Sequence, residues 1–252
     1  DQTGGDFQQK RDDLIQHANA YSGRGMIAPV AKCPEPPLST PRVHANLPLF
    51  PLETVLFPGG LLPLRIFEVR YLHMVEQCRK AGTPFGIVSL MQGSEVRRPG
   101  AANEIFHPVG TLARITHFDA PQPGLMEIDC VGGARFRIQS SHQLAHGQWV
   151  ADVELLDDDV ATPVPSDLAH ASDTLDQLIQ TLRAQHPAES RFPILPPLQL
   201  EDCGWVANRW CEILPMSVQL KHNLLALDSP LVRLELVADV LAKVHPAPQR
   251  PE

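Results

Sequence analysis

Basic charge, paired cysteines and long apolar runs are all scarce in this sequence, and each scarcity removes a class of function. Lys and Arg number 21 against 29 Asp and Glu, a formal net charge of -8. A nucleic-acid backbone is ordinarily gripped by a basic face, so nucleic acid is disfavoured as a partner. Five cysteines, Cys33, Cys78, Cys130, Cys203 and Cys211, include no C-x-x-C pair. An odd, scattered set in a chain of 252 residues is no disulfide framework and reads as reduced thiols in a cytoplasm. No stretch approaches the ~20 apolar residues that a membrane-spanning helix needs. No basic segment followed by an apolar one opens the chain as a secretory signal would. The first residue is Asp1 rather than Met, which leaves the natural start open.

Motifs that carry chemistry are missing too. No G-x-x-x-x-G-K-[ST] loop is present to cradle phosphates, so no P-loop motor is expected. Ser217 and Lys221 lie four apart and imitate a Ser-Lys dyad, but Ser217 is better explained as a helix N-cap. His142 and His146 are also four apart, yet no H-E-x-x-H exists and Gly147 signals a turn. Glu104 and His107, and His117 and Asp119, have no nucleophile or second acid to complete a site, and read as solvated loop charges. The expectation is a protein with no catalytic residues, no metal and no cofactor.

Proline is what the chain has in plenty: 25 residues, about twice the ordinary share. Residues 1–45 mix Gln, Asp, Gly and Pro and read as a disordered or non-native tail. Residues 46–160 read as a β-barrel-like lobe. In it, residues 47–52 are extended and apolar, but two prolines place them at an edge or a bend. Further strands fall at 61–66, 85–90, 109–118, 125–131, 136–139 and 149–156. Gly132-Gly133 is read as a turn between two of them, and 93–108 as a polar loop. One helix follows residue 68, with Val69, Leu72, Val75 and Cys78 on its apolar stripe and Glu76 and Lys80 as an i,i+4 pair. Short strands with one helix point to a closed or half-closed barrel. Asp157-Asp158-Asp159 and Pro163-Val164-Pro165 mark a boundary. Residues 161–246 then read as a lobe of four helices, with Ser166 and Ser217 as N-caps and Ser229-Pro230 as a cap with proline at the first helical position. Residues 247–252 are a tail.

The run Leu47-Pro48-Leu49-Phe50-Pro51-Leu52, Val55-Leu56-Phe57-Pro58-Gly59, Leu62-Pro63-Leu64-Arg65-Ile66-Phe67-Glu68 and Arg70-Tyr71 resembles the opening signature of the Lon protease N-terminal domain family. Phe85-Gly86-Ile87-Val88, Val109-Gly110-Thr111 and Gly133-Ala134-Arg135-Phe136 match later positions in order. The tracts from Trp205 to Pro215 and from Leu227 to Leu234 look like the bacterial stand-alone branch. The resemblance implies an α+β fold: a PUA-like β pseudobarrel with an inserted helix, followed by a C-terminal helical bundle. It also implies a non-enzymatic module that binds unfolded or degron-bearing proteins, or a partner protein, without ATPase or protease parts. The barrel type allows an alternative, RNA or nucleotide binding, against which the acidic balance argues.

The candidate substrate-binding residues are Tyr71, Trp205, Arg209 and Trp210. Tyr71 offers a ring with a polar tip, and Trp205 and Arg209 share a helix face where cation–π stacking is possible. The competing reading is scaffold: both tryptophans fasten the helical lobe to the barrel. Arg135 and Arg137 alternate with Phe136 and Ile138, which reads as a solvent face. Arg65 and Glu68 bracket the strand-to-helix transition, with the carboxylate favouring the helix N-terminus.

Overall fold

The computed structural model describes residues 43–95, 104–185 and 193–244. The expected tails at 1–45 (but for its last three residues) and 247–252, Cys33 and the middle of the 93–108 loop lie outside them. Six strands form one mixed sheet: β1 (Val43–Leu52), β2 (Leu61–Ile66), β3 (Phe85–Gln92), β4 (Ile105–Gln122), β5 (Leu125–Gln143) and β6 (Trp149–Leu155). Their order is β2-β5-β4-β3-β1-β6, and β5 also pairs with β6. Five strands therefore close a ring, and β2 flanks it on β5. Closure gives each of the five ring strands a neighbour on both sides.

β5 runs on where a turn was expected. Its residues 126–131 pair with β2 and its residues 136–143 with β6. Gly132 and Gly133 lie inside the strand. The glycine signal was real, but its cause is close backbone approach. Gly132 N–H donates to Gly60 O at 2.9 Å, and Gly59 N–H donates to Gly132 O at 2.8 Å. A Cβ on Gly132 would sit far inside van der Waals contact with the Phe57 carbonyl oxygen, so only glycine lets the two chains meet.

β1 also differs from expectation, since it lies between β6 and β3 rather than at an edge. Its ladder with β6 runs over 43–49 and its ladder with β3 over 49–52. Pro48 therefore falls where β6 is the partner, and Pro51 where β3 is. Each proline has a neighbouring strand on one side, so a missing N–H leaves no gap in a doubly bonded ladder. β4 begins at Ile105, earlier than the sequence suggests.

The inserted helix α1 (Val69–Ala81) lies on the barrel. Its buried side is Arg70, Tyr71, Met74, Val75 and Cys78; of the expected stripe Val75 and Cys78 are covered, Leu72 is half-buried and Val69 is exposed. These side chains pack with Phe50, Leu52, Ile66, Phe85, Ile87 and Ile128. The helix ends at Gly82, whose φ of 65° lets Thr83 N–H donate to Cys78 O at 3.0 Å. Glu76 pairs with Lys80 at 3.1 Å and with Arg79 at 3.0 Å. Glu68 holds the N-cap position, but its carboxylate accepts from Arg70 Nε instead of a helix N–H.

Four more helices follow: α2 (Ala169–Gln185), α3 (Cys203–Ile213), α4 (Val218–Leu225) and α5 (Pro230–Val244). α2 buries Ala171, Leu175 and Ile179, and starts just beyond Ser166. α3 starts at Cys203 because the Asp202 carboxylate accepts from Trp205 N–H at 2.8 Å. Ser217 Oγ accepts from Leu220 N–H at 3.2 Å, and Ser229 Oγ from Val232 N–H at 3.3 Å, so both serines cap as their local sequence predicts. The helical core takes in Val55, Phe57 and Val109 from the barrel side. Among the described residues, no helix is long and apolar enough to cross a membrane.

Candidate functional site

Three arginines, Arg135, Arg209 and Arg233, are spent inside the protein. Arg135 and Arg233 are both buried, and both donate to the Asp159 carboxylate: Arg135 Nη2 at 3.1 Å and Arg233 Nη2 at 3.1 Å, with Arg233 Nη1 on the other oxygen. Arg135 also donates to the carbonyls of Leu225 and Leu227, at 3.0 and 2.6 Å. Arg233 reaches Leu224 O at 3.0 Å and Asn208 Oδ1 at 3.1 Å. A barrel strand, the inter-lobe link and α5 thus share one carboxylate. Arg135 is no solvent-facing residue; the helical lobe covers the strand face on which it stands, while Arg137 stays exposed. The Asp157-Asp158-Asp159 run, read only as a boundary, supplies the acceptor.

The α3 cluster is placed in the same way. Trp210 is buried, and its Nε1 donates to Ala171 O at 2.9 Å. Arg209, 1% exposed, donates to Gly59 O at 2.7 Å, Pro58 O at 2.8 Å and Glu212 Oε1 at 2.9 Å. Its guanidinium lies 5.7 Å from the half-buried Trp205 ring, within cation–π range. Arg209 fastens the helical lobe to the Pro58-Gly59 turn and Trp210 ties α3 to α2, and both are too buried to present much surface to a ligand. Burial pushes the Glu212 carboxyl up to about 7 against the pull of Arg209 and Lys221. Ser217 and Lys221 do not meet as a dyad: the hydroxyl caps α4, and Lys221 Nζ donates to Glu212 O at 3.3 Å. Cys78, Cys130, Cys203 and Cys211 are free and buried.

Tyr71 stands apart, at a cleft. Its ring stacks on Phe50 at 4.0 Å and receives the Arg70 guanidinium at 4.4 Å. Burial pushes the pKa of its hydroxyl well above the ordinary tyrosine value, and the hydroxyl has no hydrogen-bond partner among the described residues. The cleft has a volume of about 160 Å³ and is lined by Phe50, Leu52, residues 63–68, Tyr71 and Glu95. That is room for one large apolar side chain. Beside it, Phe67 is 57% and Val69 81% exposed. Sequence periodicity misassigned Val69 to the core. Arg70 holds this end of the barrel together, donating to Glu68 at 3.0 Å, Glu104 at 2.8 Å and Gly147 O at 3.0 Å. Trp149 Nε1 also donates to Glu104, at 2.6 Å. The neighbouring Ile105 and Met91 are exposed as well.

A closed ring of strands carrying one helix, joined through buried arginines to a four-helix lobe, is an α+β pseudobarrel domain. The chain belongs to the ATP-dependent protease La (Lon) substrate-binding domain family, whose model matches residues 46–243. It is 29% identical over 158 residues to the Lon protease of Anaeromyxobacter dehalogenans, covering 60% of this chain and 18% of that protease. It is 24% identical over 229 residues to the Lon protease of Flavobacterium johnsoniae, covering 84% of this chain and 27% of that one. The chain thus spans well under a third of the length of these relatives. Among solved structures, the Lon N-terminal domain protein of Xanthomonas campestris superposes with a TM-score of 0.59 at 29% identity, over 79% of this chain and 98% of that one. The N-terminal domain of a Mycobacterium avium complex Lon protease shares the fold, with a TM-score of 0.51 at 14% identity, over 77% and 96% of the two chains.

Proposed function

We propose that this protein is a non-enzymatic recognition module that binds unfolded or degron-bearing protein segments, using the cleft beside Tyr71 together with the exposed Phe67 and Val69. The observation that carries the reading is an apolar cleft flanked by large exposed apolar side chains in a member of a substrate-binding family. Protein-binding surfaces concentrate their energy in a few such anchors. A cytoplasmic setting, in keeping with the free thiols, belongs to the same reading.

The test is a fluorescence-anisotropy titration with reduced, carboxymethylated α-lactalbumin and with its native form. The unfolded form binds and the native form does not. Phe67→Ala and Val69→Ser each weaken binding about 5- to 30-fold, the loss of one anchor, with the melting temperature unchanged. Equal binding of both forms, or full binding by the double variant, would refute the reading.

A further inference from the structure

The cleft has a backbone as well as a lining. Among the described strands β2 pairs with β5 alone, so its other edge is open. The ladder on β5 determines which backbone groups face that edge. The contacts of Gly132 with Gly59 and Gly60 make that position hydrogen-bonded, and the register from Leu61↔Val131 to Ile66↔Met126 is unbroken. Bonded and non-bonded pairs alternate in an antiparallel ladder. Leu62, Leu64 and Ile66 therefore bond to β5, while Leu61, Pro63 and Arg65 turn their backbone groups outward. Pro63 agrees with this parity, since it sits where β5 needs no N–H. The open edge offers the carbonyls of Leu61, Pro63 and Arg65 and the N–H groups of Leu61 and Arg65.

The cleft runs along this edge. Pro63, Leu64, Arg65 and Ile66 all line it. Successive side chains of a strand point to opposite faces, so a cavity on one face touches every second residue. A cavity that touches four in a row lies against the edge.

We infer that a client segment binds as an added β-strand along β2 and places one large apolar side chain in the cleft. The inference rests on the binding reading above and gives its geometry. Main-chain hydrogen bonds supply sequence-tolerant affinity and the cleft supplies selectivity, which suits clients defined by being unfolded. The occupant is an extended segment of another protein rather than a second copy. Two β2 edges brought together would face each other with two proline gaps, whereas a client without proline meets one.

The experiment uses the full chain and a capped ten-residue peptide of alternating threonine and valine with a central phenylalanine. The peptide is titrated unmodified and with each amide N-methylated in turn. Methylation weakens binding about tenfold wherever the amide faces β2, the cost of a lost and sterically blocked hydrogen bond, and about twofold or less at the intervening positions. The effect therefore alternates along the peptide with period two. Arg65→Pro removes an outward N–H and binds about tenfold more weakly than Arg65→Ala, which loses the same side chain from the cleft but keeps that N–H. A methylation profile without alternation, while the peptide still binds, overturns strand addition and leaves the binding reading standing. If neither the peptide nor unfolded lactalbumin binds, the binding reading itself has failed.

Discussion

Asp159→Ala removes the one carboxylate between two buried guanidinium groups. Arg135 and Arg233 are 4% and 1% exposed, and both donate to Asp159. Breaking a buried ion pair by deleting one partner costs about 3–5 kcal/mol, because the other charge is left uncompensated. Here two cations remain and repel each other, which pushes the cost up. Each keeps backbone carbonyl acceptors, at Leu225 and Leu227 for Arg135 and at Leu224 and Leu227 for Arg233, which pulls it down. The balance is about 4 kcal/mol against a total stability of about 5–15 kcal/mol. For a domain of this size the melting temperature falls by about 8–16 °C. Urea unfolding followed by tryptophan fluorescence reads the loss directly, since Trp205 and Trp210 lie in the helical lobe and Trp149 in the barrel. Asp158→Ala, on an exposed neighbour, changes stability by about 0.5 kcal/mol or less. Replacing Arg135, Asp159 and Arg233 together by Met, Leu and Met recovers much of the loss, because no charge is then left buried. The reasoning is refuted if Asp159→Ala costs under about 1 kcal/mol, or if Asp158→Ala costs as much.

The junction between the lobes also sets the pH response. Buried His107 and His222 stack at 3.8 Å, and burial, with His107 alongside, lowers His222 to about 4. A lowered histidine resists protonation in the folded state, so its contribution is whole above about 6.5 and is lost as pH falls toward 4, by about 3 kcal/mol. Glu212, raised to about 7, runs the other way and destabilises as pH climbs from about 4.5 to 7. His222→Phe therefore unmasks a decline in stability with rising pH, and Glu212→Gln unmasks a rise, both readable as urea unfolding free energies from pH 4.5 to 7.5. An unaltered pH slope in both variants would contradict the assignment. Gly132→Ala drives a Cβ into the Phe57 carbonyl and costs about 2–4 kcal/mol. Gly82→Ala, at a φ of 65° with open space around it, costs only about 1–2 kcal/mol; equal melting-temperature losses for the two would count against close backbone approach at Gly132.

What could be read from the chain depends on how far apart the interacting groups lie. Helix ends were legible because their causes are local. Ser217 and Ser229 bond to N–H groups three residues on, and Gly82 ends α1 by its own backbone angle. Glycine and proline signals were legible as constraints but ambiguous in meaning. Gly132-Gly133 announced a position without a side chain, and nothing nearby in sequence said that Phe57 was the obstacle. The stripe on α1 holds at Val75 and Cys78 and fails at Val69, because Val69 and Tyr71 both suit an apolar face and only the barrel decides which of them is covered.

By itself the sequence determined the helical segments, the Ser217 and Ser229 caps and the family signature, because each rests on contacts within a few residues or on a pattern of residue types. Tertiary structure alone decided the rest. Arg135 lies 24 residues from Asp159, and Arg233 lies 74 from it, so no periodicity could announce their clamp. The closing of the ring through β5 and β6, the burial of Trp210 and Arg209, and the cleft beside Tyr71 all arise where distant segments exclude water from one another. That free energy depends on the whole arrangement and is written in no single stretch of the chain.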